Sequence, residues 1–230
     1  AIVAVLGLYR HRVRDMLSGI SGKIGFSVKS EQGFRLARNI VVAFLPAAVV
    51  GVLFNDWIEQ QLFGIWPIVV AWFVGGAAIL LVSVWRQGRR SEPPAMMLEE
   101  LAWPSAAAIG FIQCLAMWPG TSRSLVTIVG GLLVGLGLSA AVEFSFLLGV
   151  VTLLAATVYK IKDAGPIMLQ NYGWSTMIVG ALAAYLSAVV AVKWMVGYLK
   201  RHGLELFGYY RLLLAAAVAM AMWLGWLTES

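Results

Sequence analysis

Long apolar runs alternate with short polar segments along most of the chain. Each run is close to the ~20 residues that a helix needs to cross the hydrocarbon core of a bilayer. A shorter apolar run opens the sequence, ends at Arg10 and covers only about half of that thickness. The pattern predicts about six transmembrane helices, the first of which would begin upstream of residue 1. The longer runs are residues 39–54, 66–85, 144–159, 174–199 and 209–227.

The composition also indicates a membrane protein. Of the 230 residues, 61% are hydrophobic and 12% are charged, whereas soluble domains carry about 25% charged residues. The sequence holds no phosphate-binding glycine loop, dinucleotide fingerprint or zinc motif, and no nucleic-acid partner is expected. We therefore predict an all-α polytopic membrane protein, with a single integral membrane domain over residues 1–230 that is incomplete at its N-terminus.

Lysines and arginines are distributed unevenly between the polar segments, and this asymmetry orients the chain. The positive-inside rule places segments 10–38, 86–103 and 200–208 in the cytoplasm, because most of the basic residues between the runs lie there. Segment 55–65 carries only acidic charges and is then outside. Segment 160–172 must also face outward, although it contains two lysines.

The same alternation of sides makes a prediction for residues 104–142. Residue 103 is inside, and the helix that begins near Glu143 has to run outward, so the chain between them must enter the membrane and return. We predict a re-entrant hairpin, about residues 104–138, with the helix-breaking pair Pro119 and Gly120 near its tip. Irregular backbone at membrane depth needs surrounding protein or a wet cavity. The tip should therefore line a polar cavity, which we expect to open toward the outer face.

Arg123 is the only charged side chain between residues 102 and 142. A buried intramembrane arginine is expensive unless it is paired or hydrated, so it marks a functional site by default. It follows the break and lies at the predicted start of a helix, where free N–H groups and the helix dipole favour an anion. The alternative is a simple kink with an arginine that reaches the membrane surface. The neighbours that could complete an anion site are Gly120, Thr121, Ser122, Ser124 and Thr127, the last being one helical turn after Arg123.

Two further polar residues are candidates. Glu143 could pair with Arg123, handle protons, or place a favourable charge in the first turn of its helix. Gln113 is an amide in an apolar stretch, where it could orient the hairpin tip or form a simple interhelical hydrogen bond.

The sequence around the hairpin tip resembles a known family. Residues 113–124 read Gln-Cys-Leu-Ala-Met-Trp-Pro-Gly-Thr-Ser-Arg-Ser, and the stretch that starts at Glu143 reads Glu-Phe-Ser-Phe-Leu-Leu. Both are similar to the undecaprenyl-diphosphate phosphatases, bacterial inner-membrane enzymes linked to bacitracin resistance. The resemblance implies hydrolysis of undecaprenyl diphosphate to undecaprenyl phosphate and inorganic phosphate at the periplasmic face, which recycles the carrier lipid of cell-wall synthesis.

The resemblance also implies an architecture and roles for residues. The fold would consist of two inverted repeats, each with a re-entrant helix pair, and this chain would hold one half and part of the other. Arg123 would bind the diphosphate as a catalytic residue, supported by Ser122 and Thr127. Thr121 and Ser124 would belong to the same loop. Together with the candidates taken from the residues themselves, the predicted substrate-binding set is Gly120, Thr121, Ser124, Gln113 and Glu143.

This chain departs from the family pattern in two ways. The family's glutamate-rich segment, which leads into a Ser-Ser-Thr-Gly-His run and supplies the acidic residues and the nucleophile or general acid/base, is not found in the 230 residues. It should lie upstream of residue 1, so we expect this chain to be inactive alone. The family usually has glycine where this chain has Leu125, so the turn should be packed differently.

Cofactor and partners follow from the implied substrate. Diphosphates commonly carry a divalent cation, so Mg or Ca is an expected cofactor, but no carboxylate cluster near the motif identifies its ligands. The expected partners are a polyprenyl diphosphate lipid and the membrane, and the oligomeric state is left open, a homodimer included. Discontinuous helices that point at an anion also occur in transporters. A transporter or flippase of a polyprenyl phosphate lipid is therefore the alternative function.

Overall fold

The computed structural model describes residues 2–21, 28–88 and 95–227, and these fold into helices and connecting turns. Parts of the predicted cytoplasmic segments, residues 22–27 and 89–94, lie outside the described residues. The all-α class is confirmed. The helices are α1 Ile2–Leu8, α2 Arg10–Ser21, α3 Val28–Leu62, α4 Ile65–Gly88, α5 Trp103–Gln113, α6 Arg123–Leu133, α7 Leu138–His202 and α8 Glu205–Trp223, with 3₁₀ turns at Leu98–Glu100 and Cys114–Met117.

Within the described ranges, five helical segments are long and apolar enough to cross a membrane. They match the five long apolar runs of the sequence. Helix α1, with seven residues, covers only about 10 Å, so the opening run does not span by itself. The five segments are Ser30–Leu62, Ile65–Trp85, Leu138–Ile161, Asn171–Leu199 and Glu205–Trp223.

Helix α7 is divided into two arms at Gly173, whose backbone (φ 66°, ψ 165°) lies in a region that is essentially restricted to glycine. Ser145 in the first arm contacts Thr127 of α6. Leu199 in the second arm lines a cavity together with Ile128, the next residue of α6. Ser145 and Leu199 are about equally far from Gly173 in the sequence, and both lie near the same part of α6. The two arms must therefore run in opposite directions, with the turn at Gly173.

The segment between residues 96 and 137 folds as a hairpin. Pro104 stands in the first turn of α5, where proline is favoured because its missing N–H would be unpaired anyway. Helix α6 returns beside α5, and main-chain hydrogen bonds join the two ends: Met96 N to Gly135 O at 3.1 Å and Gly137 N to Met96 O at 3.0 Å. The two ends of the hairpin thus lie side by side, so the chain returns to the end of the molecule from which it started, as the sequence analysis predicted.

Two sets of ion pairs show which segments share an end of the molecule. Arg12 of α2 contacts Glu99, before the hairpin, at 2.6 Å and Glu143 of α7 at 2.8 Å. At the other end, Lys160 of α7 lies 3.6 Å from Glu59 of α3. The described parts of segments 10–38 and 86–103 therefore share one end at Arg12 and Glu99, and Glu59 of segment 55–65 lies with Lys160 at the other. The predicted grouping of these segments into two ends is thus reproduced, whereas the side of the membrane that each end faces stays a prediction.

The interior is formed mainly where the hairpin packs against α3 and the first arm of α7. Gly110 of α5 permits this approach, because a Cβ atom there would collide with the main chain at Ala43 of α3. The second arm of α7 is different, since none of its most apolar window is buried. Side chains that are buried at 0–1% exposure include Ala43, Ala106, Ile109, Leu136, Phe144 and Leu148.

Candidate active site

The hairpin tip is a tight turn between the 3₁₀ segment after α5 and the start of α6. Gly120 has φ 95°, which favours glycine, and Ser122 has φ 63°, which is uncommon for a residue with a side chain. The Thr121 hydroxyl donates to the main-chain oxygen of Trp118 at 2.7 Å. A strained backbone of this kind costs on the order of 1–3 kcal/mol and persists only where surrounding structure holds it.

Arg123 is the first residue of α6, and the tip directs its side chain toward α7. Its Nη1 atom donates to the hydroxyl of Thr152 at 2.6 Å. Gly149, one turn earlier on α7, leaves room for the guanidinium, because a Cβ atom there would lie 2.7 Å from Nη1 and 2.8 Å from Nη2. No carboxylate of the described residues pairs with Arg123. The guanidinium is thus held in place with its charge unneutralised.

Arg123 lies at one end of a cavity of about 390 Å³ between α3, the hairpin and the first arm of α7. The opposite end carries Asn55, Tyr159 and Lys160. Since Lys160 is eight residues beyond Thr152 on the same helix, the cavity extends about 12 Å along α7. The walls between the two ends are mainly small and apolar, and include Ala47, Ala48, Gly51, Ala155 and Ala156. The cavity suits an amphiphile with an anionic head and a hydrocarbon tail.

Thr127 lies next to Arg123 in space, but its hydroxyl is turned away from this cavity. It is buried, is within 3.0 Å of the main-chain oxygen of Arg123, and shares a 2.6 Å hydrogen bond with the hydroxyl of Ser145 on α7. Ser145 in turn donates to the main-chain oxygen of Ser124. The geometry makes Thr127 a positioning residue that fixes the start of α6 against α7. Its catalytic role stays a prediction.

The hydroxyls of the tip do not converge on the guanidinium as the sequence suggested. Ser122 and Ser124 line a second cavity of about 150 Å³, together with Tyr210 and Arg211 of α8. Thr121 is engaged with main-chain oxygens of the turn. The reason is that residues 122–124 start a helix, so that successive side chains point in different directions around its axis.

Arg211 is a residue of the site that sequence reasoning did not identify. Its Nη2 donates to Gly120 O at 2.8 Å and its Nη1 to Thr121 O at 3.1 Å. Gly75 of α4 makes room for it, because a Cβ atom at that position would collide with Nη1. Arg211 thus clamps the hairpin tip from α8. An arginine inside an apolar run was the available signal, the same one that identified Arg123.

Two other missed residues, Gly149 and Thr152, gave no such signal. Glycine and threonine are common wherever transmembrane helices pack closely, and their spacing on α7 becomes meaningful only when Arg123 is placed beside them.

The structure corrects two of the three interpretations of Glu143, and a role in handling protons stays a prediction. It does not pair with Arg123, and it is not in the first turn of α7. Its partner is Arg12, which α2 brings to the opposite end of the hairpin from the tip. About two and a half helical turns of α7 separate Glu143 from Thr152, which holds Arg123. A substrate-binding role for Glu143 is therefore not supported by its position.

Gln113 is the last residue of α5 and lines the same cavity as Arg123. It is 2% exposed. Neither its amide nitrogen nor its amide oxygen has a hydrogen-bond partner among the described residues. The described helices therefore do not offer Gln113 the interhelical hydrogen bond that was its alternative explanation.

The surroundings of Arg123 lack the carboxylate ligands that Mg or Ca prefers. Among the described residues, no three His, Cys, Asp or Glu side chains come together as a group that could hold a metal ion. The described side chains around Arg123 do not by themselves fit an Mg or Ca site.

The fold and the site together define a polytopic helical membrane protein that presents a fixed cation to an apolar cavity through a helical hairpin. The chain belongs to the bacitracin resistance protein BacA family, whose model matches residues 1–217. It is 40% identical over 225 residues to an undecaprenyl-diphosphatase of Sorangium cellulosum. The aligned region covers 97% of this chain and 70% of that relative. It is 37% identical to undecaprenyl-diphosphatase 2 of Rhodospirillum rubrum (98% and 78% covered) and 36% identical to undecaprenyl-diphosphatase 1 of Burkholderia lata (99% and 79%).

Proposed function

We propose that this protein hydrolyses undecaprenyl diphosphate to undecaprenyl phosphate and inorganic phosphate, and so recycles the carrier lipid at the outer face of the bacterial inner membrane. One observation carries the proposal for the site: the Arg123 guanidinium, held by Thr152, faces an apolar cavity of about 390 Å³ without a carboxylate partner among the described residues. The names of the relatives supply the substrate. They describe a hydrolase, and nothing in the structure favours the alternative of a transporter or flippase.

The unneutralised charge explains why an anion would bind. A guanidinium in a low-dielectric site is costly unless an opposite charge approaches. Thr152 takes one of its five N–H donors, and the planar group can offer paired donors to phosphate oxygens. The N-terminus of α6 adds free N–H groups and the positive end of its dipole. The prenyl chain would lie along the small apolar side chains of α3 and α7.

The same groups can lower the barrier to hydrolysis. Phosphoryl transfer depends chiefly on positioning and on stabilising the charge that develops on the phosphoryl oxygens. Arg123 is fixed before the substrate arrives, by Thr152 directly and by Thr127 and Arg211 through the main chain of the tip. Such preorganised donors require little rearrangement in the transition state. Water or a side chain would attack the terminal phosphorus in line, and we assign that nucleophile to no described residue.

The orientation of the cavity supports the proposed face of the membrane. Its far end, at Lys160, lies with Glu59 at the end of the molecule that the charge distribution places outside. We infer that the diphosphate enters from the outer leaflet and that inorganic phosphate leaves on the same side.

The test is phosphate release from undecaprenyl diphosphate by the protein expressed from its complete reading frame and purified in detergent. Arg123→Ala should abolish most of the activity. Arg123→Lys should also lose most of it, because an ammonium cannot reproduce a two-point contact. Arg201→Lys, an exchange at an exposed arginine, is the matched control. The proposal would be wrong if Arg123→Ala released phosphate normally, and a variant that released phosphate but no longer translocated the lipid would favour the flippase.

A further inference from the structure

Gln113 combines deep burial with an amide group that makes no hydrogen bond to the described residues. The side chain is 2% exposed, and both of its polar atoms lack a partner among the described residues. A buried polar group without a hydrogen bond destabilises the folded state, because it has lost its hydrogen bonds to water. An apolar side chain of similar size would avoid this cost, so the fold alone gives no reason for an amide at this position.

Asn39 shows how a structural amide differs. It is buried to the same degree, at 2% exposure, and its Oδ1 atom also has no partner among the described residues, but its Nδ2 atom donates to the main-chain oxygen of Leu101 at 2.7 Å. That bond joins α3 to the start of the hairpin. Asn39 is also absent from the residues that line the Arg123 cavity. Gln113 has no such bond, and it does line the cavity.

The position of Gln113 relative to Arg123 suggests what completes it. The two residues stand on opposite arms of the hairpin, at the end of α5 and the start of α6, and both face the same cavity. Arg123 brings a positive charge that attracts an anion. Gln113 brings two N–H donors and one acceptor oxygen without adding charge. A phosphoryl headgroup has anionic oxygens that can accept from Nε2 and, when protonated, an O–H that can donate to Oε1.

We propose that Gln113 binds the diphosphate headgroup directly and that the substrate supplies the hydrogen bonds that the described residues do not give it. This inference rests on the proposed function, and it assigns to the site a second, neutral recognition group. It has a consequence that a structural amide would not have. Replacing Gln113 by an apolar side chain should relieve an unfavourable burial in the free protein while weakening substrate binding.

The experiment compares Gln113→Met, which keeps the length of the side chain, with Gln113→Glu and with the control Asn39→Leu. Phosphate release from undecaprenyl diphosphate and the melting temperature are measured for each in the same detergent. Gln113→Met should raise KM by about tenfold or more, as expected for the loss of a hydrogen bond to a charged group, and should leave the melting temperature equal or higher. Gln113→Glu should raise KM further, because a carboxylate repels the headgroup. Asn39→Leu should lower the melting temperature and leave KM unchanged.

Two results would overturn the inference. The first is an unchanged KM in Gln113→Met, which would show that the side chain makes no contact with the headgroup. The second is a clearly lower melting temperature in Gln113→Met, which would show that the fold uses the amide, as it uses Asn39. Neither result affects the proposed function as long as the unaltered protein releases phosphate. If the unaltered protein releases none, it is the proposed function that fails.

Discussion

Arg211 offers a test of whether catalysis requires the hairpin tip to be held by another helix, α8. The residue is half-buried and donates to the main-chain oxygens of Gly120 and Thr121. Hydrogen bonds from a charged donor contribute about 1.5–3 kcal/mol each. Because Arg211 is partly exposed, we take the lower value, so Arg211→Gln should cost about 3 kcal/mol in the tip. Arg211→Lys, which can reach only one of the two oxygens, should cost about half as much.

These costs translate into activity because Arg123 follows the clamped turn directly. At about 1.36 kcal/mol per tenfold in rate, kcat/KM should fall by about 100-fold in Arg211→Gln and by about tenfold in Arg211→Lys. The assay is phosphate release from undecaprenyl diphosphate, with the exposed Arg201→Gln as control. If Arg211→Gln kept normal kcat/KM, the tip would not depend on the clamp. Equal losses in the two variants would also contradict the reasoning, since it predicts a graded effect.

Three further predictions follow from contacts of the site and of its base. Thr152→Val removes the 2.6 Å hydrogen bond to Arg123 and should lower kcat/KM by about tenfold. Thr152→Ser keeps the hydroxyl and should retain most of the activity. Equal losses in the two variants would argue against the hydroxyl contact. Thr127→Val breaks the buried bond to Ser145 and should lower the melting temperature by about 2–4 °C, with Thr127→Ser close to normal; an unchanged melting temperature would refute the positioning role. Burial alone would raise the pKa of Glu99, but its main-chain hydrogen bond and Arg12 outweigh this effect and lower it. The stabilisation from Glu99 is therefore present above the ordinary glutamate pKa of about 4.3 and is lost as the pH falls toward the lowered value. Melting curves between neutral and acid pH should show this loss, and Arg12→Gln should reduce it; an identical pH dependence in that variant would contradict the assignment.

Much of the fold could be read from the sequence because the membrane imposes simple rules. Each long apolar run marks one spanning helix, because about 20 apolar residues are needed to cross the hydrocarbon. The ends agree best for Ile65–Trp85 and Asn171–Leu199, whereas Ser30–Leu62 extends eight or nine residues beyond its run at each end. The hairpin was predicted because the alternation of membrane sides required residue 103 and Glu143 to lie on the same side of the membrane. Arg123 could be identified because a charge inside an apolar segment is costly and is therefore retained chiefly where it has a function.

The partners of the polar side chains could not be predicted in the same way. Helical spacing places Thr127 one turn after Arg123, but it does not show that this side of α6 meets Ser145 of α7. The partner of Glu143 is 131 residues away in the sequence. A single chain gives no measure of which distant helices touch, so the pairing of Arg12 with Glu143, and of Arg211 with the tip, required the structure.

The hairpin is held at both ends, by the main-chain hydrogen bonds at Met96 and by Arg211 at the tip. We therefore expect it to stay fixed while the substrate binds and the product leaves. A bulky lipid nevertheless has to reach Arg123 and its product has to leave. We therefore expect the movement to occur at the seam, that is, the contact between α3 and the first arm of α7. The polar contact that the described residues make at its outer end is the exposed ion pair of Lys160 and Glu59. Exchange with the bilayer would then occur sideways through this seam, as through a lateral gate, while the catalytic geometry stays undisturbed.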